Sequence, residues 1–87
     1  MIYKEVKLTG TEALRTRAAA ILVEKANNYD ATILIEYENK KINAKSIMGV
    51  LTLGVKPGES LFIHANGVDE QEAINGLGDL INNNFEI

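Results

Sequence analysis

The spacing of apolar residues along this chain changes repeatedly between two and about 3.6, and the order of those changes restricts the fold more than any other feature of the sequence. At the start, Ile2, Val6 and Leu8 alternate with Tyr3, Glu5 and Lys7, with Lys4 a polar intruder on the apolar side, until Thr9-Gly10-Thr11 stops the pattern. This predicts a first strand. From about Thr16 the spacing becomes helical: Ala19, Leu22, Val23, Ala26 and Tyr29 recur at three and four, ending at Asn27-Asn28. Ile33, Ile35 and Tyr37 then share one face of a second strand. Glu38-Asn39 has the length of a two-residue hairpin, with Asn39 expected to take the positive φ. A short third strand, 40–44, follows with Ile42 and Ala44 inward.

Ser46 stands before Ile47-Met48-Gly49-Val50-Leu51, which predicts one or two helical turns capped by the serine hydroxyl and closed by Gly54. Lys56-Pro57-Gly58 reads as a turn. In the fourth strand, Leu61, Ile63 and Ala65 face inward while Phe62 and His64 face outward, so His64 is expected to be a solvated residue of the open sheet face. Asp69 and Glu72 have the spacing of a capping box, and Ala73, Ile74, Leu77, Leu80 and Ile81 continue as a helical stripe. Gly76 and Gly78 interrupt that helix, so its second half is expected to fray into Asn82-Asn83-Asn84.

The resulting order, βαββαβα, is that of an α+β open-faced sandwich: a four-stranded antiparallel sheet covered on one face by three helices, its other face in water. A chain of 87 residues can feed one hydrophobic core, so 1–87 is expected to be a single domain. Hydrophobic residues are 46% and charged residues 24%, which is globular rather than disordered composition. There is no cysteine, which removes disulfides, thiolate metal sites and a cysteine nucleophile together and fits a reducing compartment. No metal or other cofactor is expected. Net charge is −3, with lysines and arginines scattered among acids, which argues against direct nucleic-acid binding. Apolar runs such as 18–23 are far shorter than the roughly 20 residues needed to cross a bilayer, and no charged-then-apolar leader precedes the first strand. The expected place is the cytoplasm, without membrane contact. With no nucleophile beside a base and no phosphate-cradling glycine loop, the chain does not read as an enzyme.

The stretch Asn43-Ala44-Lys45-Ser46-Ile47-Met48-Gly49-Val50-Leu51-Thr52-Leu53-Gly54 closely resembles the HPr family and its catabolite-repression branch, Crh. The likeness extends through Tyr29-Asp30-Ala31, 34–37 and 67–73 without an evident insertion. Members of the HPr family typically read His-Ala-Arg-Pro at the first helix, where the histidine receives phosphate from the phosphoenolpyruvate-dependent sugar transport system. Here the stretch is Arg15-Thr16-Arg17-Ala18. A guanidinium has only donors and no free lone pair, so Arg15 can bind phosphate but cannot carry it.

The resemblance also implies a second phosphorylation site, Ser46, served by an HPr kinase/phosphorylase in low-GC Gram-positive bacteria. A serine at a helix start accommodates added negative charge, because N–H groups and the positive end of the helix dipole lie beside it. By resemblance, a LacI-type catabolite control repressor is the partner of the phosphorylated form. Arg15, Arg17, Val23, Lys45, Ile47, Met48 and Leu51 are then the expected contacts, with Arg17, Lys45 and Arg15 neighbouring the phosphate. Two alternatives stand beside this regulatory reading: a working phosphocarrier that uses another residue, and a docking module with no switch. Relatives also allow a homodimer that exchanges its first strand about Thr9-Gly10-Thr11.

Overall fold

The computed structural model describes residues 1–10 and 13–86. In them are four strands and three helices: β1 (Ile2–Lys7), α1 (Thr16–Ala26), β2 (Thr32–Tyr37), β3 (Lys40–Asn43), α2 (Ile47–Leu51), β4 (Ser60–Asn66) and α3 (Glu70–Asn82). This is the order expected from the apolar periods. The sheet is antiparallel throughout, in the order β1-β4-β2-β3. Thr11, the last residue of the expected hinge, lies outside the described residues.

Register carries the period of two into one core. Val6 lies opposite Leu61, Ile35 opposite Ile63, and Ala65 between Ile2 and Ile33, so every strand turns its apolar set toward the helices. Leu22, Ala18 and Ala19 of α1, Val50 of α2, and Leu77 and Ile81 of α3 close the core from above. Lys4 occupies an inward register position opposite Ile63 yet stays exposed on the edge strand. Its ammonium ends 3.8 Å from where a Cβ would stand on buried Gly78, so the stem runs over the α3 backbone and the charge reaches water.

Several local expectations are corrected. The two-residue hairpin forms, with Tyr37 opposite Lys40, but the positive φ falls on Glu38 (56°) rather than on Asn39. That is the first central position, which a two-residue turn of the second common type requires. The Asp69–Glu72 capping box is absent. Asp69 is the N-cap of α3, but its carboxylate accepts the N–H groups of Asp30 and Ala31, both at 2.8 Å, and so pins the α1–β2 connection to α3. Those amides, Asp30 first, hold the Asp69 carboxyl below its usual range. Glu70 takes over the local duty and accepts the Gly67 N–H at 3.0 Å.

The end of α3 is closed rather than frayed. Asn84 takes a left-handed φ of 58°; its N–H donates to the Ile81 carbonyl, and the Phe85 N–H donates to the Leu80 carbonyl at 2.8 Å. This pair of bonds is a Schellman motif, with asparagine where glycine is usual, and it folds Phe85 back until 1% of its surface remains exposed. Gly76 also has a structural reason, since a Cβ there would meet the Tyr29 hydroxyl at 2.0 Å.

Lys56-Pro57-Gly58-Glu59 is a type II turn: the Glu59 N–H donates to the Lys56 carbonyl and Gly58 has φ of 89°. The turn is tied to the hairpin, because the buried Tyr37 hydroxyl donates to Glu59 Oε1. That bond pushes the Tyr37 phenol up to about 12 and holds Glu59 below the usual carboxylate range. The native state therefore keeps the phenol proton after the unfolded state has released it. Stability from this bond is complete below the ordinary tyrosine value near 10 and is lost as pH rises toward 12. Urea midpoints taken across that range should fall for the wild type and stay flatter for Tyr37→Phe.

Candidate functional site

The local sequence builds the position of Ser46 in three steps. Asn43 ends β3, and its side-chain Oδ1 accepts the Lys45 N–H at 2.9 Å while its carbonyl accepts the Ser46 N–H at 3.1 Å. This turn aims the chain off the sheet edge. Ser46 is then extended (φ −110°, ψ 115°) and its Oγ accepts the Gly49 N–H at 3.2 Å, so the expected cap is present. Gly49 carries no side chain beside that hydroxyl; an added Cβ would stand 3.5 Å from Oγ. Replacing Ser46 by alanine should cost about 1 kcal/mol of stability and leave the fold intact, as checked by urea unfolding with an unchanged slope.

The apolar side chains of α2 divide as its length demands. Val50 is fully buried, whereas Met48 is 72% exposed and Ile47 and Leu51 are each 38% exposed. Val23 of α1 is half-buried and packs on the core.

The basic residues are placed differently from expectation. Asn27, at the C-terminal end of α1, donates its Nδ2 to the Lys45 carbonyl at 3.4 Å, so Ser46 lies near the end of α1. Arg15 and Arg17 are at the beginning of that helix, on the order of 15 Å away at 1.5 Å per residue. They are not immediate neighbours of the Ser46 hydroxyl. Arg17 is held by the C-terminal turn, donating to the Phe85 carbonyl at 3.2 Å. Lys45 is adjacent in sequence, but its ammonium is turned to the Tyr29 carbonyl at 2.6 Å. Arg15 is the exposed N-cap residue of α1, and its side chain does not cap that helix.

The result is a strip: a hydroxyl at one end, exposed Ile47, Met48 and Leu51 along α2, and guanidinium groups at the far end of α1. Asn43 and Asn27, which place Ser46 and Lys45, were missed as site residues. An Asn two residues before the lysine was a turn signal for the first; the second depends on how α1 and α2 pack and had no signal in the sequence.

His64 does lie on the open face, but it is not simply solvated. Its Nε2 is 2.8 Å from Glu36 Oε1, its ring stacks on Tyr3 at 5.6 Å, and 15% of its side chain is exposed. Among the described residues no group of three or more His, Cys, Asp or Glu side chains is arranged to hold a metal, and no helix is long and apolar enough to cross a membrane.

A small antiparallel sheet under three helices, with a capped serine opening the short one, defines an HPr-like protein. The family described as "PTS HPr component phosphorylation site" matches residues 2–83, and the chain belongs to the HPr family. The HPr-like protein Crh of Halalkalibacterium halodurans is 40% identical over 77 residues, covering 88% of this chain and 92% of that protein. Among solved structures, HPr-C-His from Thermoanaerobacter tengcongensis is similar over all of both chains, with 40% identity and a TM-score of 0.94. Crh of Bacillus subtilis, solved as a dimer with a swapped domain, is 36% identical over 95% of each chain, with a TM-score of 0.77. These are phosphocarrier and regulatory proteins rather than catalysts.

Proposed function

We propose that this chain is a cytoplasmic, single-domain regulator of carbon catabolite repression, phosphorylated at Ser46 by an HPr kinase/phosphorylase and then bound by a LacI-type catabolite control repressor. The observation that carries this reading is the Ser46 hydroxyl itself: it opens α2 beside the exposed Met48, while Arg15 stands where the family carries phosphate on histidine. A phosphate on Oγ gains charge-assisted bonds from N–H groups of the first turn without unfolding anything. It alters the rim of an apolar patch whose centre is Met48, flanked by Ile47 and Leu51. That layout, apolar within and charged around, suits a protein interface. Arg15, Arg17, Val23 and Lys45 complete the contact set along the strip.

Calorimetry with the repressor and the two forms of the protein tests this. The phosphorylated form should bind at least about tenfold more tightly, and Met48→Ala should remove most of that affinity. Equal affinity for both forms would instead support a docking module with no switch. A homodimer is a second reading, favoured by the domain-swapped dimer of Bacillus subtilis Crh; sedimentation of the purified chain would decide it.

A further inference from the structure

We infer that the cleft between the start of α1 and the Gly54–Pro57 connection is a receptor for a small organic phosphomonoester, held without covalent attachment by Arg15 and Lys56. The cleft has a volume of about 370 Å³ and is lined by Ala13, Arg15, Gly54, Lys56 and Pro57. Its two sides are fixed to each other, since the Leu14 N–H donates to the Val55 carbonyl at 2.9 Å. The volume is at the small end of the range for ligand pockets, larger than a bare phosphate needs and suited to a phosphate carrying a short carbon skeleton.

The chemistry of the lining selects the anion. Among the described residues its only ionic side chains are Arg15 and Lys56, and no carboxylate lines it. The Arg15 guanidinium makes no hydrogen bond or ion pair with the described residues, so its planar fork of donors is available for two parallel bonds to phosphate oxygens. Lys56 faces Glu59, but that carboxylate already accepts the Tyr37 hydroxyl and the Lys56 N–H, which leaves the ammonium able to turn to the cleft. α1 also begins here, and its first turn carries no acidic residue to offset the positive end of the helix dipole.

The remaining lining selects the carbon portion. Ala13 and Pro57 present apolar surface, and Gly54 has nothing within 4 Å of where a Cβ would stand, so the mouth stays open. Arginine at this position thus converts a place for covalent phosphate into one for recognising a phosphate that another molecule already carries. This site is separate from Ser46 and its occupancy does not depend on the kinase reading.

The test is a titration followed by amide resonances, with glycerol 3-phosphate, inorganic phosphate, a phosphoserine peptide and sodium chloride at matched ionic strength. Glycerol 3-phosphate should saturate shifts at Ala13, Arg15, Gly54 and Lys56 more tightly than inorganic phosphate does. Arg15→Gln and Lys56→Gln should each weaken that binding by about tenfold while leaving resonances elsewhere unchanged. The inference is overturned if chloride reproduces the shifts, if neither substitution alters them, or if only the peptide saturates the site.

Discussion

Phe85→Ala should remove about 3–5 kcal/mol, measured as a fall in the urea midpoint with the slope unchanged. The side chain is one of the largest fully buried groups, and truncation leaves a cavity between α3 and the core that neighbours held in regular elements cannot fill. Against a typical total of roughly 5–15 kcal/mol, that loss leaves a small domain with little margin. The Schellman bonds at 84 and 85 are main-chain bonds and survive the substitution in principle, so the expected cost comes from packing. Phe85→Leu should recover a large part of it. A loss under about 1 kcal/mol for the alanine variant would mean that the C-terminal turn is not docked as described.

Gly67→Ala should be the second large effect, about 2–4 kcal/mol. Gly67 has φ of 154°, and a Cβ there would stand 2.7 Å from the Ala31 Cα and 3.0 Å from its Cβ. The obstacle is main chain that Asp69 clamps through the Asp30 and Ala31 amides, so it cannot swing aside as a side chain could. Gly58→Ala provides the comparison: φ there is 89°, but nothing lies within 4 Å. It should cost only the conformational penalty of about 1 kcal/mol, and the difference between the two variants measures the close approach.

The elements were legible because each strand or helix announces itself by period: inward Ile33, Ile35, Ile63 and Leu61 were named by alternation, and Leu22 and Leu77 by helical spacing. The junctions were not legible. Asp69 and Glu72 have capping spacing, yet the Asp69 carboxylate finds two amides 38 and 39 positions away in sequence, which no local pattern encodes. Asn82-Asn83-Asn84 reads as a fraying tail until Phe85 is seen to fold back, and the reading stopped one residue short of it. Lys4 broke the alternation because an edge strand lets a long side chain reach water from an inward position.

For the site, the Ser46 cap was readable from a serine before a short apolar run, and so was the exposure of part of Ile47 to Leu51, since one turn and a half cannot bury every side chain. The grouping of Arg15 and Arg17 with Ser46 failed for a geometric reason. α1 runs toward Ser46, so its C-terminal end lies beside that residue and Arg15 and Arg17 are left at the far end, and only the Asn27–Lys45 contact reveals the direction.

The proposed function rests on a difference between two positions: the protonated guanidinium at 15 has no free lone pair with which to accept the transporter's phosphate, whereas the hydroxyl at 46 is the proposed acceptor. Two parallel reactions read by intact mass and site mapping test it most directly, one with an HPr kinase and ATP, the other with enzyme I and phosphoenolpyruvate. The expected result is one acid-stable phosphate on Ser46 in the first and no phosphoprotein in the second. An acid-labile phosphate arriving from enzyme I, on His64 or any other residue, would contradict it, as would an unmodified Ser46 after the kinase reaction.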